Sequence, residues 1–161
     1  MNTQSQIVAG RPRPGSQSWG RFAGIVAIYA LLGPLVGAIG VTGLFTVYAV
    51  GVEIAIGNFD DIARRFVGGM LVGTIVSGII AYAFGIVSAA GVGLVVALRD
   101  RRKGGISWKV SFVAALAFWL LTSLAATAVV PPQGLVQWIG ALLAAHVLAT
   151  AACTWIARRI F

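Results

Sequence analysis

The sequence is short of charge and of cysteine. Only 10% of its 161 residues are charged and 59% are hydrophobic, whereas soluble domains carry about 25% charged residues. Too few charged residues are present to cover a water-exposed surface, which excludes a sizeable soluble domain. The only cysteine, Cys153, excludes an intrachain disulfide and a cysteine-based metal cluster. We therefore expect no metal and no cofactor.

The positive charge of the chain does not indicate nucleic-acid binding. The formal net charge is +8, but the cations cluster at the ends of apolar runs, a pattern typical of membrane topology. A nucleic-acid-binding face would need cations interleaved with aromatic residues, and none is visible. No Ser-His-Asp set, CxxC pair or phosphate-binding loop can be assembled, so we expect no enzyme. The expected partners are the lipid bilayer and other membrane subunits or further copies.

Four long uncharged runs dominate the sequence instead. An uncharged apolar run of more than about 18 residues predicts a transmembrane helix. The chain is therefore expected to form an all-α, integral membrane bundle of four transmembrane helices with short loops. This domain covers 21–161 and follows a polar tail, 1–20, which we expect to be disordered and cytoplasmic. The predicted spans are about 22–52, 62–98, 108–130 and 134–157.

The first span contains Pro34 beside Gly33. Because proline removes a backbone hydrogen bond to the preceding turn, a kink is expected there. A re-entrant pair of half-helices meeting at the glycines is the alternative.

A polar turn is expected to start the second helix. Asn58 suits the N-cap position. The helix dipole stabilises acidic side chains in the first turn, where Asp60 and Asp61 are expected. Asp60–Arg64 and Asp61–Arg65 have the i,i+4 spacing of ion pairs.

The second span carries a small residue at every fourth position. These residues form one ridge on a helix, where another backbone can approach closely, as in small-xxx-small packing. The ridge predicts a central helix in a tight bundle, with a pore lining or a lipid-facing surface as the alternative. Its members are Gly69, Gly73, Ser77, Ala81, Gly85, Ala89, Gly93 and Ala97. The fourth span has a similar row, Ala141, Ala145, Ala149, Cys153 and Ala157, and spans three and four are predicted to form a tight hairpin.

The segment between spans two and three is the most basic. It could bind lipid headgroups, or serve only to set topology, through Arg99, Arg101, Arg102, Lys103 and Lys109. With four spans, most cations lie on one side, and the positive-inside rule then places both termini in the cytoplasm. Ten Arg against two Lys, with abundant Ala, Gly and Val, hint at a bacterial chain. We therefore expect a bacterial inner (cytoplasmic) membrane location.

His146 is the only histidine and lies in the middle of the fourth span. An ionisable residue at that depth is a functional candidate by default. It could bind a cofactor or relay protons, although a b-type haem usually takes two histidines. The more favoured interpretation is a neutral His146 that hydrogen-bonds to another helix.

The absence of a chemical constellation, together with the small-residue ridges, favours a non-enzymatic protein. We expect a multi-pass membrane protein that packs with itself or serves as an accessory subunit of a membrane complex. One alternative is a small transporter or channel subunit. Another is a membrane anchor that holds a cofactor through His146.

Overall fold

A computed structural model describes residues 18–128 and 130–161 of the chain. These residues form four α-helices and no strand, which confirms the all-α, four-helix prediction. The helices are α1 (Trp19–Ala55), α2 (Ile62–Lys103), α3 (Trp108–Thr127) and α4 (Pro132–Ile160). Each is long and apolar enough to cross a membrane.

The four helices stand in a ring with short connections. Helix α1 packs against α2 and α4, and α3 packs against the same two helices from the opposite side. Neighbours in the ring are antiparallel. We call the end with the first residues of α1 and α3 the basic end, because the ends of α2 and α4 there carry most cations. The opposite end, which holds Glu53, Asp60 and Asp61, is the acidic end.

The hydrophobic core lies close to the basic end. All buried residues of α2 fall between Ser88 and Asp100, and those of α4 fall between Thr150 and Ala157. The core cluster therefore fills only one half of the ring, with Ile25, Tyr29, Val92, Val96, Ala97, Ile106, Ala114, Ala115, Cys153 and Ala157.

The first two helices extend further than the third. Helices α1 and α2 have 37 and 42 residues, whereas α3 has 20. At 1.5 Å per residue these lengths are roughly 55, 63 and 30 Å. Since the helices meet at the basic end, the α1–α2 hairpin extends beyond α3 at the acidic end.

Helix α1 runs unbroken through Pro34, which rules out the alternative of two half-helices. The helix begins at Trp19, inside the segment predicted as tail, with Ser18 as its N-cap. The rest of that segment, 1–17, lies outside the described residues, as does residue 129 of the predicted third span.

The predicted start of α2 is wrong in detail. The N-cap position is Asp61, in the left-handed region (φ 61°), and its side chain makes no cap hydrogen bond. Asn58 lies outside the helix, where its side-chain amide donates to Glu53 at 2.5 Å. Arg64 pairs with Asp61 at i,i+3, so neither predicted i,i+4 pair forms.

The basic segment is largely helical. Helix α2 continues to Lys103, and the connection to α3 is only 104–107. Gly104 and Gly105 have φ angles of 67° and 90°. Residues other than glycine rarely adopt such positive φ angles. The helix therefore stops at this glycine pair, as the sequence indicates.

Candidate functional site: the polar interior of the bundle

A buried carboxylate joins three parts of the chain at the basic end. The Arg21 guanidinium donates to both oxygens of Asp100, at 2.8 and 3.0 Å. The Gly105 amide donates to the same carboxylate at 2.8 Å, and Arg21 also donates to the Phe161 carbonyl. Because Asp100 is only 1% exposed, its charge depends on these donors.

A cluster of hydroxyl groups lies between the helices, further from the basic end than the Arg21–Asp100 pair. The Tyr29 hydroxyl of α1 is 2.6 Å from Thr154 Oγ1 on α4 and 3.3 Å from Ser111 Oγ on α3. All three side chains are buried. A buried hydroxyl costs free energy unless it is hydrogen-bonded, so these contacts fix the relative positions of three helices.

His146 bridges α2 and α4 near the middle of the bundle. Its Nδ1 lies 2.8 Å from the Leu142 carbonyl, and since a carbonyl only accepts, Nδ1 must carry the proton. Its Nε2 lies 2.9 Å from Ser88 Oγ and accepts from that hydroxyl in the neutral tautomer. Both ring nitrogens are thus occupied, and a metal or haem at Nε2 would have to displace Ser88.

Thr150 and Cys153, which follow His146 on α4, lie inside the bundle. Thr150 is buried, and the Cys153 thiol points to α1, with its sulfur 3.8 Å from the Ile28 carbonyl. Within 18–128 and 130–161, no three His, Cys, Asp or Glu side chains are close enough to hold a metal ion.

Most of the predicted small-residue ridge on α2 faces α1. A Cβ built on Gly73 would lie 2.7 Å from Thr42 Cγ2, and one on Gly93 would lie 2.8 Å from Tyr29 Cβ. Ser77 hydrogen-bonds to Thr42 at 2.8 Å. Gly69 lies against Thr46, Ala89 lies against Gly33, Ala97 is buried in the core and Ala81 is half-buried.

Gly85 is the exception in this ridge. A Cβ built there meets no atom of this chain within 4 Å, so a packing role of Gly85 stays a prediction. Ridge members on either side of it, Ser77 and Ala89, do contact α1.

Two members of the similar row on α4, Ala145 and Cys153, contact α1. A Cβ on Gly37 of α1 would lie 3.4 Å from the Ala145 Cβ. Helices α3 and α4 pair through other groups, including the Trp119 indole, which donates to the Ile139 carbonyl at 3.1 Å.

The cations predicted to meet lipid headgroups gather at the basic end. Two arginines there lie over tryptophan rings, with the guanidinium carbon of Arg101 4.2 Å from the Trp19 ring centroid and that of Arg159 5.3 Å from the Trp155 ring centroid. Of the predicted set, Arg99 and Arg101 are half-buried, and Arg102, Lys103 and Lys109 are exposed.

The acids of the opposite end form local ion pairs. Glu53 accepts from Arg65 at 2.7 Å and from the Asn58 amide, while Asp61 pairs with Arg64. These contacts join the end of α1 to the start of α2. They match the ordinary behaviour of solvated charges at the ends of helices.

Sequence reasoning missed the Arg21–Asp100 pair and the hydroxyl cluster around Tyr29. A signal for the first was present, since Asp100 is the only acid among the five charges of 99–103. A buried carboxylate needs a cation, but 79 residues separate it from Arg21. The hydroxyls of Tyr29 and Ser111 lie in apolar runs, where they require partners.

The arrangement defines an all-α membrane protein with four helices of spanning length and hydrogen-bonded polar layers between them. Compared with protein-family models, curated proteins and solved structures, the chain shows no match.

Proposed function

We propose that the chain is a non-enzymatic membrane subunit. It packs against transmembrane helices of further copies or of a larger membrane complex. The observation that carries this proposal is the exposed apolar surface in the half of the bundle at the acidic end, outside the contacts between α1 and α2.

This surface is formed mainly by the α1–α2 hairpin. No residue of 62–87 in α2 is buried, although the segment is rich in large apolar side chains. The most exposed large apolar residues of α2, each at least 61% exposed, are Leu71, Val72, Ile75, Ile79, Phe84 and Val87.

Close approach of another helix is possible along the same half. Helices associate in lipid through van der Waals packing at small residues, because the hydrophobic effect gives no drive there. Glycines with no atom within 4 Å of a built Cβ are concentrated on this hairpin, at Gly43, Gly51, Gly68, Gly78 and Gly85.

The contacts of His146 support a structural role for that residue. Its two nitrogens are used by Leu142 and Ser88, and the hydroxyls around Tyr29 are used by one another. These contacts favour neither a transport path nor a cofactor anchor, and we propose neither.

The cation distribution supports an orientation. The positive-inside rule places the basic end in the cytoplasm, which puts both helical termini of the bundle there and the acidic end outside. With the bacterial composition of the chain, this corresponds to a bacterial inner membrane.

Site-specific photo-cross-linking tests the packing role. A photoreactive residue is placed at Ile79 on the acidic half of α2, or at Val113 on the basic half of α3. These side chains are 68% and 67% exposed, so exposure is matched. We expect protein adducts from position 79 in native membranes and lipid adducts alone from position 113. Lipid adducts alone from both positions would contradict the proposal.

A further inference from the structure

The basic end presents positive charge with no exposed acid to offset it. The sequence after Ile62 contains a single acid, Asp100, and that residue is buried and paired with Arg21. The pair thus removes the only local side-chain carboxylate from the surface. The cations that remain come from α2, α3 and α4, namely Arg99, Arg101, Arg102, Lys103, Lys109, Arg158 and Arg159.

Two of these arginines are held at a defined level by tryptophan. Arg101 lies over the Trp19 ring and Arg159 over the Trp155 ring. Tryptophan concentrates at the interface between hydrocarbon and water. A guanidinium attracted to an aromatic ring still has N–H donors, and their geometry matches the two oxygens of a phosphate.

We propose that the basic end is a binding surface for anionic phospholipid headgroups, with the Arg101–Trp19 and Arg159–Trp155 pairs as its anchoring points. The apolar helices place this surface in the headgroup plane, so a phosphate in that plane meets it without leaving the bilayer. The exposed Arg102 and Lys103 add charge nearby. This inference is independent of the packing role proposed above, because it concerns the other end of the bundle.

Native mass spectrometry of the delipidated protein in mild detergent tests the inference. Phosphatidylglycerol and phosphatidylcholine with the same acyl chains are the probes. We expect phosphatidylglycerol to bind roughly tenfold more tightly than phosphatidylcholine. A tenfold difference in affinity is about the electrostatic contribution of one to two surface cations. This preference should fall as salt is raised. Equal affinity for the two lipids would overturn the proposal, as would a preference that salt does not change.

Matched variants locate the surface. Arg101→Gln combined with Arg159→Gln should reduce the phosphatidylglycerol preference by roughly tenfold. Arg64→Gln, at the acidic end, should leave it unchanged. Arg102→Gln combined with Lys103→Gln changes exposed side chains only and should reduce the preference even if the first pair disturbs the fold. A preference that survives Arg101→Gln combined with Arg159→Gln, or that is lost in Arg64→Gln, would contradict the assignment.

Discussion

The Asp100→Ala variant is expected to lose about 3–5 kcal/mol of unfolding free energy. The substitution leaves the Arg21 guanidinium without its carboxylate, and the Arg21 side chain is only 24% exposed. It also removes the acceptor of the Gly105 amide, which helps to hold the turn between α2 and α3. Thermal unfolding in detergent, followed by tryptophan fluorescence, measures the loss.

Two further variants separate the ion pair from general effects of mutation. Asp60→Ala removes an exposed acid and should change stability by less than about 0.5 kcal/mol. Replacing both partners, Arg21→Met with Asp100→Leu, leaves no uncompensated charge and should be less damaging than Asp100→Ala alone. If Asp100→Ala unfolds at the wild-type temperature, the pair does not hold the basic end together.

The second large effect is expected at Gly93. A leucine there places its Cβ 2.8 Å from Tyr29 Cβ and 3.2 Å from Val26 Cα. Because one of these atoms is backbone, α1 and α2 must move apart, at an overpacking cost of about 1–3 kcal/mol. The shift also disturbs the Tyr29 hydroxyl and its bonds to α3 and α4. We expect a lower unfolding temperature in detergent.

Gly85→Leu is the matched control for this prediction. It adds the same side chain to the same helix, but its Cβ meets no atom within 4 Å. The monomer should therefore keep its unfolding temperature. Equal losses in the two variants would show that the contact between α1 and α2 at Gly93 does not determine stability.

The fold class follows from the sequence because the membrane imposes strong rules. Uncharged runs must be helical in lipid, and the glycine pair at 104–105 ends α2 where the sequence indicates. The ends of the helices were less predictable. Charged residues such as Arg99 and Arg101 continue α2 by another turn, since charge sets the membrane boundary but does not end a helix.

The contacts between helices were only partly predictable. The small residues on α2 indicate close packing, but the sequence does not say that α1 is the partner or that Gly85 alone among the glycines of the ridge makes no contact with it. Likewise, His146 requires a hydrogen-bond partner, but Ser88 becomes that partner only through the order of helices in the ring. Pairings of this kind depend on tertiary geometry, which a single sequence does not carry.

Thiol labelling in intact cells tests the four-span orientation most directly. Cys153 is fully buried, so the wild-type chain should be silent toward a membrane-impermeant maleimide. Asp60→Cys and Lys103→Cys each add one exposed thiol, at opposite ends of α2. We predict that Asp60→Cys is labelled from outside the cell and Lys103→Cys only after the membrane is opened. Labelling of both thiols from the same side would contradict a helix α2 that crosses the membrane between them.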